Sequence, residues 1–228
     1  MAEGAAADEE VENVVAVLGS YRGKVGLVSD CEEEIMLLWA IQQPIFSKHN
    51  AFVSQSTLQL HIDACGRSLS ILQSPSSLGT PGVTGSVMWD SGIILGKFLE
   101  HSVESGTIFL QGKNVIELGS GCGLVGCIAA LLGAQVILTD LPDRLKLLKK
   151  NVETNLYGDV RGSATVNELT WGDDLDTDFT DPSPDFDAIL EYFLEAAMKE
   201  FIVGRIDQDQ WHPDYRSSRV AIYVLVKK

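Results

Sequence analysis

Residues 114–142 read NVIELGSGCGLVGCIAALLGAQVILTDLP, and their order decides the fold. Val115 to Leu118 form a short apolar run that ends in a glycine-rich bend. Leu124 to Leu132 are apolar nearly all round, which predicts a buried helix, and Gly133 suits its C-terminal cap. "AQVILTD" then predicts a second strand ending in Asp140. Strand, glycine turn, helix and strand make a βαβ unit with a nucleotide-binding outline.

The glycines run Gly119-x-Gly121-x-Gly123-x-x-Gly126, and the last three satisfy the dinucleotide pattern GxGxxG. Glu117, two residues before Gly119, argues for a different ligand. A carboxylate facing the bend opposes a pyrophosphate but suits an amino-acid end that carries a cationic amine beside a sulfonium. Glycine lets the backbone pass close to the ligand, and the following helix N-terminus favours a carboxylate. Asp140 ends the second strand 23 residues after Glu117, placed to accept hydrogen bonds from both ribose hydroxyls. S-adenosylmethionine (SAM) fits these groups better than NAD does.

On either side, strand and helix patterns continue to alternate. "TGSVMWDSGIILGKFLEH" predicts a helix with Trp89, Ile93, Gly96, Lys97 and Glu100 on one stripe. "LPDRLKLLKKNVETNL" predicts another, with Pro142 near its start and Leu141, Leu145, Leu148 and Val152 on one face. "ATVNELTW" predicts a third strand. Upstream, "LQLHIDA", "CGR" and "SLSIL" predict a β-hairpin. The breaker-rich loop "SPSSLGTPG" marks a boundary near residue 80. The expected organisation is an acidic disordered tail over residues 1–12, an N-terminal extension over 13–80, and an α/β domain over 81–228.

The 228 residues carry 17 Lys and Arg against 32 Asp and Glu, a formal charge of −15 that opposes phosphate backbones and excludes nucleic acid as the expected partner. No apolar run reaches the ~20 residues that span a bilayer, so no membrane partner is expected. The opening residues lack a signal-peptide pattern. Cys31, Cys65, Cys122 and Cys127 form no CxxC pair, and the four histidines have no metal-ligand spacing. Reduced thiols and a cytoplasmic (or also nuclear) location are expected, with no metal. Seven aspartates between Asp173 and Asp187 read as a solvated loop or as a cradle for a basic segment. "WHPDY" contains the HPD tripeptide of J-domain co-chaperones; strand patterns flank it here, so a turn is expected.

The stretches "GSVMWDSGIILGKFLE", "VIELGSGCGLVGCIAALLGAQVILTD" and "LKKNVETN…ELTWGD" resemble the seven-β-strand SAM-dependent methyltransferases. More closely, they resemble methyltransferase family 16, which includes lysine methyltransferases of non-histone proteins. The resemblance implies a Rossmann-like three-layer sandwich and SAM as cofactor. It assigns Trp89 to packing on the cofactor, Glu117, Gly119, Gly121 and Gly123 to the first motif, Asp140 to the ribose, and Trp171 to the adenine. A protein substrate is implied, such as a chaperone or an AAA-type ATPase.

After Asp187 the chain departs from the family. "FDAIL" runs directly into the amphipathic "EYFLEAAMKEF", and a unit of βαβ size, about 30 residues or more, is missing. With it goes the family's D-x-x-Y segment, so no catalytic residue is assigned. An incomplete sheet is expected, with Asp187, Ile189 and Leu190 offering a short substitute strand. "FIVGRID" and "RVAIYVLVKK" match the family's closing antiparallel hairpin. Two rival readings stay open: a catalytically inactive homologue that binds SAM or the family's partner, and an NAD(P)-dependent oxidoreductase.

Overall fold

The computed structural model describes residues 14–15, 17–29, 34, 36–37, 50–79, 85–170, 188–190 and 200–228. Its centre is a parallel sheet of β5 (Asn114–Leu118), β6 (Gln135–Asp140), β7 (Ser163–Glu168) and β8 (Ala188–Leu190), in the spatial order β7-β6-β5-β8. In chain order that is 3-2-1-4, the first part of a doubly wound α/β sheet. The fold is therefore Rossmann-like α/β, as expected. β8 pairs in parallel with β5 over Val115↔Ala188, Ile116↔Ile189 and Glu117↔Leu190. The substitute strand thus forms, three residues long, and it starts one residue after Asp187.

Among the described residues three helices serve this sheet: α1 (Asp90–Glu104), α2 (Leu124–Leu131) and α3 (Leu145–Asn155). The crossovers β5-α2-β6 and β6-α3-β7 step in the same direction, so right-handed connection puts α2 and α3 on one face. Every residue of α2 is buried, in keeping with its uniform apolarity. α1 lies close beside α2: a Cβ on Gly96 would come within 2.6 Å of Ile128 Cδ1. The stripe predicted on α1 holds for Ile93, Gly96, Lys97 and Glu100, all buried. Leu118 and Ile137, which point to the opposite face, are only partly buried among the described residues.

Pro142 precedes α3 in a turn rather than inside its first helical turn, because the helix begins at Leu145. On the predicted face Leu148 and Val152 are buried, while Leu141 is exposed.

The hairpin expected upstream is β3 (Gln59–Ala64) and β4 (Arg67–Leu72), paired in antiparallel register. Cys65 and Gly66 form its two-residue turn with φ of 52° and 71°, the positive values that a type I′ turn requires. Asn151 and Asn155 of α3 bond to β4 as a neighbouring strand would. Leu72 N–H donates to Asn151 Oδ1 (2.9 Å) and Ser70 N–H to Asn155 Oδ1 (2.7 Å). The two side-chain NH2 groups donate back to the Leu72 and Ser70 carbonyls at 3.0 and 2.9 Å.

A buried ion pair fixes the turn end of the hairpin. Lys97 Nζ lies 2.7 Å from Glu100 Oε2 and donates to the Asp63 carbonyl, while Cys65 N–H donates to Glu100 Oε1. Tyr215, in the connection that carries the HPD tripeptide, stacks 5.4 Å from Lys97 Nζ.

The closing hairpin forms as β9 (Phe201–Ile206) and β10 (Ile222–Lys227), with Trp211 to Tyr215 in the connection between them. It does not extend the parallel sheet. β9 pairs with β2 (Val25–Leu27), which pairs with β1 (Val14–Val15), giving a separate sheet of order β1-β2-β9-β10. The expected acidic tail, the Asp-rich stretch and most of the "EYFLEAAMKEF" segment lie outside the described residues.

Candidate functional site

In an open parallel sheet a ligand lies outside the carboxyl ends of the strands, where the strand order reverses. Here that point is between β5 and β8, above the loop from β5 to α2. Gly119, Gly121 and Gly123 of this loop take φ of 66°, 53° and 80°. Such left-handed angles favour glycine and aim alternate peptide groups to opposite sides. Gly123 also has a packing reason of its own: a Cβ there would come within 2.5 Å of Leu148 Cδ1 on α3. Gly126, the last glycine of the pattern, permits close helix-on-strand contact, since a Cβ would meet Leu138 Cδ2 at 2.4 Å.

The two acids address this loop from neighbouring strands. Asp140, only 9% exposed, accepts the Gly121 N–H at Oδ2 (2.6 Å) and the Leu141 N–H at Oδ1 (2.8 Å). Glu117 is 7% exposed, and its Oε2 is buried without a hydrogen-bond partner among the described residues. That oxygen sits against Gly126, 2.6 Å from where a Cβ on this glycine would be. Burial pushes the Glu117 pKa up to about 8; the Ser120 hydroxyl and Gly126 N–H oppose this in part, and the nearby Asp140 charge adds to it.

The strip Gly85–Met88 forms a wall beside the loop. Gly85 lies against it closely enough that a Cβ on Gly121 would come 3.2 Å from the Gly85 carbonyl oxygen. Cys122 Sγ contacts the same oxygen at 3.8 Å, and burial raises its pKa to about 12, so smallness rather than reactivity explains this cysteine. Gln73 secures the strip by accepting the Met88 N–H at 2.8 Å. Trp89 follows at the N-cap of α1 and is 43% exposed, which sets it apart from the core. Trp171 lies outside the described residues.

The sequence reading thus sees Glu117, Gly119, Gly121, Gly123 and Asp140 gathered at one loop, with Trp89 following the adjoining wall. It missed Gly85, Gln73 and Asn151. Two asparagines four residues apart, next to the apolar face of α3, were the available signal for the last. A cavity of about 380 Å³ opens elsewhere, at the hairpin turn between Arg67 and Lys97, and none of its lining residues belongs to the glycine loop. Among the described residues no cluster of His, Cys, Asp or Glu could hold a metal ion, and no helix is long and apolar enough to cross a membrane.

Parallel strands, a left-handed glycine bend and two acids at its rim define a nucleoside-binding α/β domain. The chain belongs to the lysine methyltransferase family, whose sequence model matches residues 69–192, more than half of it. The match begins within β4, inside the stretch read as an extension. Among curated relatives, Protein N-lysine methyltransferase METTL21A of Mus musculus is 47% identical over 92 residues, covering 40% of each chain. Protein-lysine methyltransferase METTL21E of Bos taurus is 44% identical over 106 residues, 46% of this chain and 36% of that one. The matched segment thus spans about 40% of the length of these relatives. A solved Streptococcus mutans chain described as a SAM-dependent methyltransferase is 19% identical, covers 51% of this chain and 28% of that one, and reaches a TM-score of 0.32, too low to argue from.

SAM is the cofactor this family implies, and the residues present fit it. The buried Glu117 carboxyl suits a cationic amine, whose charge would favour the ionised carboxylate, whereas a pyrophosphate brings it neither a cation nor a donor, and this favours SAM over NAD(P). Asp140 keeps lone pairs beyond the two backbone bonds it accepts, enough for hydroxyl donors.

Proposed function

We propose that this chain binds SAM over the β5–α2 loop and transfers its methyl group to a lysine of a non-histone protein. The observation that carries the reading is the pairing of Glu117, buried with an unused acceptor, and Asp140, bonded to Gly121 across the same bend. In this reading Glu117 and the loop glycines Gly119, Gly121 and Gly123 hold the amino-acid end, Asp140 the ribose, and Trp89 and Trp171 flank the cofactor. SAM supplies an electrophilic methyl on a sulfonium. The protein's share is to orient a neutral amine in line with it and to exclude water. A free lysine has a pKa of about 10.4, so a dry pocket that disfavours the ammonium is part of the work. No described side chain is assigned the lysine proton.

The charge of −15 supports a protein substrate with a basic surface over a nucleic acid, and the family resemblance points to a chaperone or an AAA-type ATPase. Cys65, Cys122 and Cys127 are free thiols, in keeping with the cytoplasm or nucleus. Calorimetric titration of SAM and of its demethylated product, S-adenosylhomocysteine, tests the binding half: no heat and no thermal shift at millimolar ligand would refute it. Transfer of labelled methyl to lysines in a cell extract, lost in Asp140→Ala, tests turnover.

A second reading is a cofactor-binding homologue without turnover. It is favoured by the departure of β9 into another sheet, so that among the described residues the parallel sheet has four strands. Binding without transfer would select it.

A further inference from the structure

We propose that Asn151 is a positioning residue of the glycine loop, and that through it the β3–β4 hairpin and cofactor binding are energetically coupled. The inference rests on the cofactor reading given above. Asn151 is fully buried, and its carboxamide serves three backbone groups at once. Its Oδ1 accepts the Leu72 N–H (2.9 Å), and its NH2 group donates to the Leu72 carbonyl and to the Cys122 carbonyl, both at 3.0 Å. The orientation of the amide is unambiguous, because the reverse would face its oxygen to two carbonyls and its NH2 to an N–H.

The Cys122 carbonyl belongs to the peptide plane before Gly123. On the same plane the Gly123 N–H donates to the Ser120 carbonyl at 2.8 Å. Asn151 therefore holds one end of a peptide group and the loop's own turn holds the other. The residue that follows is glycine at φ +80°, where rotation of that plane meets little steric resistance. Without Asn151 the plane keeps only its Gly123–Ser120 bond, and part of the loop's order must be supplied each time a ligand binds.

Asn155 provides the matched comparison. It clamps Ser70 as Asn151 clamps Leu72, but its remaining contact goes to the Asn151 carbonyl within α3 (2.7 Å) and not to the loop. Both asparagines therefore hold the hairpin, and only one reaches the site. Coupling of this kind is reciprocal: what the hairpin does for the ligand, the ligand does for the hairpin.

The test is calorimetric titration of S-adenosylhomocysteine into wild type, Asn151→Ala and Asn155→Ala, with thermal midpoints measured alongside. Similar midpoint losses are expected in the two variants. The affinity of Asn151→Ala should fall by about tenfold or more, and that of Asn155→Ala by no more than about threefold. Equal affinities in the two variants would overturn the inference while leaving the cofactor reading intact; a wild type that does not bind would end both. Should Asn151→Ala not fold, hydrogen exchange on the wild type decides. The ligand is expected to slow exchange at the Leu72 amide more than at Ser70, and an unchanged Leu72 rate under saturating ligand would refute the coupling.

Discussion

Replacing Glu117 by Gln should make the protein more stable and a poorer binder of its cofactor. The carboxyl pKa stands at about 8 in the fold, above an ordinary 4.5, chiefly because burial penalises the ionised form. Below about pH 4.5 the group is protonated whether the chain is folded or not, and it costs the fold nothing. Between that value and about pH 8 the unfolded chain ionises while the folded one does not, so stability falls as pH rises. Above about pH 8 the whole cost is present. At about 1.4 kcal/mol per pH unit, the interval sets a ceiling of about 5 kcal/mol. Relaxation and water entry around buried charges lower such penalties, so about 2–3 kcal/mol is expected at pH 8. In a chain of this size that is about 5–10 °C in melting midpoint. The assay is thermal or urea unfolding of wild type and Glu117→Gln at about pH 5 and pH 8. The gain should be large at the upper pH and small at the lower one. Parallel pH dependences in the two proteins would refute the reasoning, since His titrations are common to both and cancel. The same variant should bind S-adenosylhomocysteine at least about tenfold more weakly, because a neutral amide cannot meet a cationic amine as a carboxylate does.

Three further outcomes follow from the packing. Gly126→Ala puts a methyl within 2.4 Å of Leu138 Cδ2 and 2.6 Å of Glu117 Oε2, so denaturant unfolding should show a loss of about 1–3 kcal/mol. Lys97→Met leaves Glu100 buried without its cation and should cost about 3 kcal/mol or more, whereas Lys97→Met/Glu100→Met should cost less than the two single changes added together; a double-mutant cycle by urea unfolding checks this. Burial holds the thiols of Cys65, Cys122 and Cys127 up at about 12, so peptide mass analysis should find all three slow to react with maleimide at about pH 8 until the chain is unfolded.

The cofactor half was legible because its signals are local. A two-residue Cys65-Gly66 turn between alternating runs can make little except a hairpin, and an all-apolar helix between two apolar runs can lie only against a sheet. The closing hairpin shows the limit. Phe201–Ile206 and Ile222–Lys227 read correctly as strands, but their sheet is chosen by β2, some 175 residues earlier in the chain, and alternation carries no record of that partner. β8 was visible only as three apolar letters after an aspartate, and it forms because β5 offers a free parallel edge. Within the site, Gly119, Gly121 and Gly123 could be read as a bend, yet the sequence could not separate glycines needed for a ligand from one needed by Leu148. Asn151 escaped because asparagine in a helix ordinarily means solvent; its burial depends on a strand edge about 80 residues away.

The two carboxamides on α3 have a consequence beyond the site. Residues four apart on a helix rise about 6 Å, and alternate residues of a strand advance about 6.6 Å, so a helix can seal a sheet margin as a strand would. An open margin invites pairing with any passing extended chain. With both asparagines in place, the N–H and C=O groups of Ser70 and Leu72 are already bonded, and that stretch of the β4 margin is closed to a passing chain.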